Sequence, residues 1–141
     1  MHAQVLLVED NLDDQLLAKR AKKMHSKQDY KLHIIDDGAQ ALEWLFNPEH
    51  TSESLPQLIV LDLNLPKING LKVLQRLREH AATQYIPVVI LTTSDETCDI
   101  RDSYAYGANS FIKKPIDFDE FIHVWSTLDQ YWLHANVAHV A

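Results

Sequence analysis

One cysteine in 141 residues, Cys98, leaves no intramolecular disulfide to form, so nothing in the chain asks for an oxidising compartment. Three glycines and five prolines are too few for collagen-like or low-complexity structure. No apolar run approaches the roughly 20 residues that span a bilayer. The residues before Val5–Val8 also lack the basic region that opens a signal peptide. The expected setting is cytoplasmic, with no membrane partner. Positive charge is short as well. Thirteen Lys and Arg against twenty Asp and Glu give a net charge of −7, which repels phosphate backbones and speaks against nucleic acid as a partner. What is present, 46% hydrophobic and 23% charged residues, suits one compact domain over 1–141, with its core at about 4–133.

Short apolar runs alternate with longer amphipathic stretches, the pattern of repeated βα units around a parallel sheet. Strands are expected at Val5–Val8, Leu32–Ile35, Leu58–Leu61, Val88–Leu91 and Ser110–Ile112. The purely apolar ones suit burial on both faces. Helices are expected at Asp13–His25, Ala39–Phe46, Leu71–Glu79 and Thr97–Tyr106, the first with Leu16, Leu17, Ala21 and Met24 at helical spacing. A fifth should start after Pro115, with Asp117 as its N-cap. Asn47–Pro56 reads as a polar surface loop, and the chain beyond Leu133 as a ragged end. This order makes a doubly wound (βα)₅ fold of the α/β class, whose ligands bind at the carboxyl ends of the strands near a topological switch point.

That rule directs attention to the strand ends. The first strand runs into Glu9-Asp10 and the third into Asp62, so three carboxylates should meet at one sheet edge. Close acids disfavour joint ionisation unless a cation is supplied, and hard oxygen ligands in an open site suit Mg²⁺. Thr92 leaves the fourth strand and Lys114 the fifth, toward the same edge. A carboxylate nucleophile, a metal, a hydroxyl and a fixed cation are the parts that phosphoryl transfer needs, and Asp62 is the candidate nucleophile.

With these motifs the chain resembles the receiver domains of bacterial two-component response regulators over residues 4 to about 133. The resemblance rests on Val8-Glu9-Asp10-Asn11, Leu61-Asp62-Leu63-Asn64-Leu65-Pro66 with Asn69-Gly70, Leu91-Thr92-Thr93, and Gly107-Ala108-Asn109 leading to Lys114-Pro115. It implies a flavodoxin-like five-stranded sheet of order 2-1-3-4-5. It also implies that Glu9, Asp10, Asp62 and the Asn64 carbonyl hold Mg²⁺, and that Asp62 takes phosphate from a histidine kinase. Thr92 would bond a phosphoryl oxygen, Lys114 would pair with Asp62 and later the phosphoryl group, and Phe111 would be the switch aromatic. Asn64 and Ser94 would tune the phosphate lifetime. The Lys114-Pro115 bond is expected to be cis, as in the family. Within the family the chain is similar to small cyanobacterial regulators paired with phytochrome kinases, which implies a phytochrome-type kinase as partner. With no room for an output domain in 134–141, output would pass to an unknown downstream protein.

Other residues read more plainly. Asp13 and Asp14 are expected to be a helix N-terminal charge pair, and Asp36 and Asp37 a turn. Eight histidines are scattered without metal-ligand spacing, and Cys98 has no catalytic partner. Phe118, Phe121, Ile122, Trp125, Leu128 and Trp132 form an apolar stripe beside Tyr131. Core packing takes part of it, while Phe118, Ile122, Trp125 and Trp132 are expected to form a homodimer face. Two rivals are a phosphorylation-independent dimeric adaptor and a phosphatase of the haloacid dehalogenase type. Asn64 counts against the second, because such enzymes place an acid two residues after the nucleophile.

Overall fold

The computed structural model describes residues 3–25, 29–51 and 54–139. Five parallel strands, β1 (Ala3–Val8), β2 (Tyr30–Ile35), β3 (Leu58–Leu61), β4 (Val88–Thr92) and β5 (Ser110–Lys113), form one sheet of order 2-1-3-4-5. Helices α1 (Leu12–His25), α2 (Gly38–Leu45), α3 (Gly70–Glu79), α4 (Thr97–Ala105) and α5 (Phe118–Gln130) alternate with them. The expected doubly wound flavodoxin-like fold is therefore present.

The strand sequences explain the layering. Side chains alternate across a strand, so a run apolar at every position fills two cores. Val5, Leu7, Leu58, Val60, Val89 and Leu91 join Ala18 and Ala21 of α1 and Phe121, Trp125 and Leu128 of α5. Leu6, Val8, Ile59, Leu61, Val88 and Ile90 join Ala41, Leu42 and Leu45 of α2 and Val73, Leu74 and Leu77 of α3. Each such side chain contributes about 1.5–3 kcal/mol when fully buried. Chain order reverses between β1 and β3, which pair from Val5↔Leu58 to Val8↔Leu61 and so bring Glu9 and Asp62 to the same edge.

Several expectations need correction. On α1, Leu16 is 61% and Met24 57% exposed, and the buried stripe is instead Ala18 and Ala21 with the half-buried Leu17. The small Ala18 and Ala21 let α1 pack closely on the sheet and α5, with Leu17 beside them. No peptide bond among the described residues is cis, so Lys114-Pro115 is trans. Trans is the preferred isomer by about 0.5–1 kcal/mol even before proline, and Lys114 already reaches its carboxylate partners from it. Beyond Leu133 the chain is ordered further than expected. A wider, π-helical turn runs from Tyr131 to Ala135, and the His139 ring lies 4.6 Å from that of Tyr85. Residues 52 and 53 of the polar loop, and 140 and 141 of the tail, lie outside the described residues.

Candidate functional site

The backbone fixes the site before any side chain is considered. Glu9 N donates to Ile35 O at 3.0 Å, Asp62 N to Val8 O at 3.1 Å and Lys114 N to Thr92 O at 2.7 Å. Each functional residue thus continues a sheet ladder by one position and projects from its carboxyl edge. Gly70, the first residue of α3, lies so close to the Asp62 carbonyl that a Cβ there would collide with it. The absence of a side chain lets α3 begin directly behind the nucleophile candidate.

Lys114 is the centre of the charge network. Its ammonium lies 2.6 Å from Glu9 Oε1, 2.8 Å from Asp14 Oδ2 and 2.9 Å from Asp62 Oδ2, with only 7% of its side chain exposed. Asn64 N donates to Asp62 Oδ1 at 3.1 Å, so both carboxylate oxygens of Asp62 are engaged. Ligand oxygens of Glu9, Asp10 and Asp62 lie within 4.8 Å of one another. Glu9 and Asp62 are buried and Asp10 is exposed, so the cluster opens to solvent on one side. Hard carboxylate donors at that spacing, with an open face for retained waters, fit a small divalent cation.

The titration of these groups follows from their surroundings. Burial pushes Glu9 up to about 8, with the Asp62 charge adding and Lys114 opposing. Asp62 is buried too, but its hydrogen bonds to Lys114 and Glu9 and the Lys114 charge outweigh desolvation and hold it below the usual carboxylate range. Burial works against the Lys114 charge, yet Asp14, Glu9 and Asp62 together keep it above the ordinary lysine value. The arrangement at neutral pH is an ionised Asp62 under a fixed ammonium, which is how a weak carboxylate nucleophile is kept unprotonated.

Thr92 is fully buried, and its hydroxyl makes no well-formed hydrogen bond among the described residues, though it lies near enough to Asp62 to favour that carboxylate's ionised form. Phe111 is half-buried against the α2–α3 core layer, and its backbone N–H donates to the Tyr104 hydroxyl at 3.2 Å. Ser94 is occupied locally, donating to Asp99 Oδ2 of α4 at 2.6 Å. Asp37 caps α2 through Gln40 N at 2.7 Å and lies 3.6 Å from Lys67, consistent with a turn residue.

Two readings of the sequence differ from this geometry. Asp14 is not merely half of a helix-end charge pair, because its carboxylate contacts Lys114. Its place at the third helical position after Asn11 already has a local explanation in the helix dipole, so the sequence held no signal that set it apart. On α5, Ile122 and Trp125 are buried in the chain's own core, Phe118 is 70% exposed, and Trp132 is partly buried beside it.

The family described as response regulator receiver domain matches residues 5–125. A protein described as a probable methanogenesis regulatory protein, FilR2 of Methanothrix harundinacea, is 36% identical over 94% of this chain and 84% of its own. Response regulator Rcp1 of Synechocystis is 35% identical over 92% of this chain and 88% of its own. The Mn²⁺-bound crystal structure of Rcp1 superposes with a TM-score of 0.87, covering 97% of this chain and 99% of that one. The phosphorylated cyanobacterial phytochrome response regulator RcpA superposes with a TM-score of 0.90 at 32% identity, covering 98% and 99%.

Proposed function

Because the chain belongs to the response regulator receiver domains, we propose that Asp62 accepts a phosphoryl group from a histidine kinase in a Mg²⁺-dependent reaction and that the change is relayed to a partner protein. A receiver of this kind is not a conventional enzyme. The observation that carries the reading is the Lys114 ammonium 2.9 Å from Asp62 Oδ2, beside three carboxylates grouped within 4.8 Å.

Glu9, Asp10 and Asp62, with the Asn64 backbone carbonyl, would hold the cation. A divalent ion bound there offsets repulsion between these acids and incoming phosphoryl oxygens. Asp62 attacks phosphorus through a carboxylate oxygen as the bond to the donor nitrogen of the kinase histidine breaks. Lys114 redirects one N–H hydrogen bond from Asp62 Oδ2 to a phosphoryl oxygen. The Thr92 hydroxyl donates to another, and its displacement gives Phe111 room to turn inward. Asn64 and Ser94 flank this path and set how readily water reaches the acyl phosphate.

The similarity to RcpA supports a phytochrome-type kinase as donor. A second copy of the chain is the proposed partner of the α5 face, on which Phe118 remains exposed. No helix among the described residues is long and apolar enough to cross a membrane. Incubation with Mg²⁺ and acetyl phosphate, followed by intact mass, tests the central claim. One phosphoryl increment on the wild type and none on Asp62→Asn is expected. Equal labelling of both would overturn it, as would multiple turnovers of a phosphate ester.

A further inference from the structure

We propose that Asp14 is a positioning residue for Lys114, holding its ammonium beside residue 62 both before and after the phosphoryl group arrives; this rests on Asp62 being the phosphoacceptor. An ammonium has three N–H donors, and here all three are directed at carboxylates: Glu9, Asp14 and Asp62. Two of those carboxylates have other work. Asp62 loses a charged oxygen when it is esterified, and Glu9 belongs to the grouped acids suited to a cation. Asp14 lies outside that group, so its hold on Lys114 is the one that neither event alters.

The helix start shows how Asp14 is freed for this. Asn11 caps α1, its Oδ1 accepting from Asp14 N at 3.0 Å. An acid three residues after such a cap ordinarily turns back to the N–H of the capping residue. Here the Asn11 N–H is taken by Glu9 Oε2 at 3.2 Å. Asp14 is released from the reciprocal bond and reaches across to the end of β5 instead. Because it stands in the first turn of a helix packed on the sheet, it presents a fixed counter-anion that keeps Lys114 from being drawn wholly onto a phosphoryl dianion.

The test uses the full chain with Mg²⁺ and acetyl phosphate, following phosphoryl incorporation against donor concentration. Asp14→Ala should lower the limiting rate on the order of tenfold and leave the half-saturating donor concentration within about twofold. Asp14→Asn keeps an oxygen acceptor for Lys114 and should recover most of the rate. Lysine ammonium ¹H–¹⁵N spectra give a readout independent of turnover. The Lys114 signal, assigned by its loss in Lys114→Met, should be sharp in the wild type and Asp14→Asn and broadened in Asp14→Ala. Asp14→Ser replaces Asp14→Ala if the latter does not fold. An unchanged limiting rate, or a Lys114 signal that stays sharp in Asp14→Ala, overturns the proposal. No label on the wild type would overturn the phosphoacceptor reading, and this inference with it; equal rates in labelled wild type and Asp14→Ala overturn this inference alone.

Discussion

Replacing Lys114 with methionine probes the electrostatic logic of the pocket with little change in shape, since methionine keeps an unbranched stem of similar volume. Glu9 and Asp62 are almost fully buried, and among the described residues Lys114 is the cation in contact with them. Removing one partner of a buried ion pair costs about 3–5 kcal/mol, because the remaining charge is left uncompensated. Against a total stability of about 5–15 kcal/mol, such a loss lowers the melting midpoint on the order of 10 °C. The loss should depend on pH with a definite sign. In the wild type Asp62 is held below its ordinary value, so its contribution is present above the unfolded carboxylate range and fades as pH falls through the folded value. The variant lacks that contribution, and its acids can be relieved only by protonation, so the deficit is largest near pH 8 and shrinks toward pH 4. Urea unfolding in EDTA, followed by the fluorescence of the buried Trp125, measures it directly. A deficit under about 1 kcal/mol, the range of an exposed ion pair, or one independent of pH, would refute the account of Lys114 as the counter-ion of a buried acid cluster.

Burial pushes Glu9 up to about 8, so a cation binding below that pH must displace a proton. Mg²⁺ affinity should rise with pH up to about 8 and then level off, and calorimetry in buffers of different ionisation enthalpy should show close to one proton released per ion near pH 6.5; a flat affinity contradicts this. Thr92→Val removes a buried hydroxyl that makes no well-formed hydrogen bond among the described residues, so it should leave stability in urea within about 1 kcal/mol while weakening binding of the phosphoryl mimic beryllofluoride several-fold. Loss of both stability and binding would assign Thr92 a packing role instead. Phe118→Glu places a charge on an exposed aromatic at the start of α5 and should shift sedimentation at tens of micromolar from dimer to monomer, whereas a wild type that sediments only as monomer excludes that interface.

The sheet was legible because its signal is local. Val5–Val8, Leu58–Leu61 and Val88–Leu91 are apolar at every position, and the structure buries each on both faces. The edges were less clear. Ala3 and Gln4 look unremarkable, yet they pair with Tyr30 and Lys31 and lengthen β1 and β2. Glu9, Asp10, Asp62, Thr92 and Lys114 could be picked out for the same reason as the strands, since each stands at or just past a strand's end. Asp14 could not. A carboxylate in the first turn of a helix already has a sufficient local explanation in the helix dipole, and only the tertiary path of Lys114 shows that it has another partner. The α5 aromatics failed in the same way. Their spacing defines a stripe but not where the sheet beneath it ends, and that limit separates the buried Trp125 from the exposed Phe118.

The two ends of the β4–β5 pair differ in a way that bears on any switch. At the lower end, Arg78 of α3 donates to Gly107 O, Gln84 O, Ile86 O and Asn109 Oδ1 at 2.8–3.0 Å, and Asn109 Oδ1 also accepts from Val88 N at 2.9 Å. Gly107 has φ +100°, and any Cβ there would press on the Arg78 side chain, so this junction admits one arrangement. At the upper end the Thr92 hydroxyl has no well-formed hydrogen bond among the described residues, and the ties are Lys114 N to Thr92 O at 2.7 Å and the exposed Lys113–Asp95 pair at 2.8 Å. Movement at the lower end would strand a half-buried guanidinium and several carbonyls, each costing about 1–3 kcal/mol when left unsatisfied. Movement at the upper end gives up one backbone bond and an exposed ion pair, and can bring the Thr92 hydroxyl a partner. A phosphoryl group on Asp62 would therefore meet less resistance at the top of β4 and β5 than at the Arg78 junction.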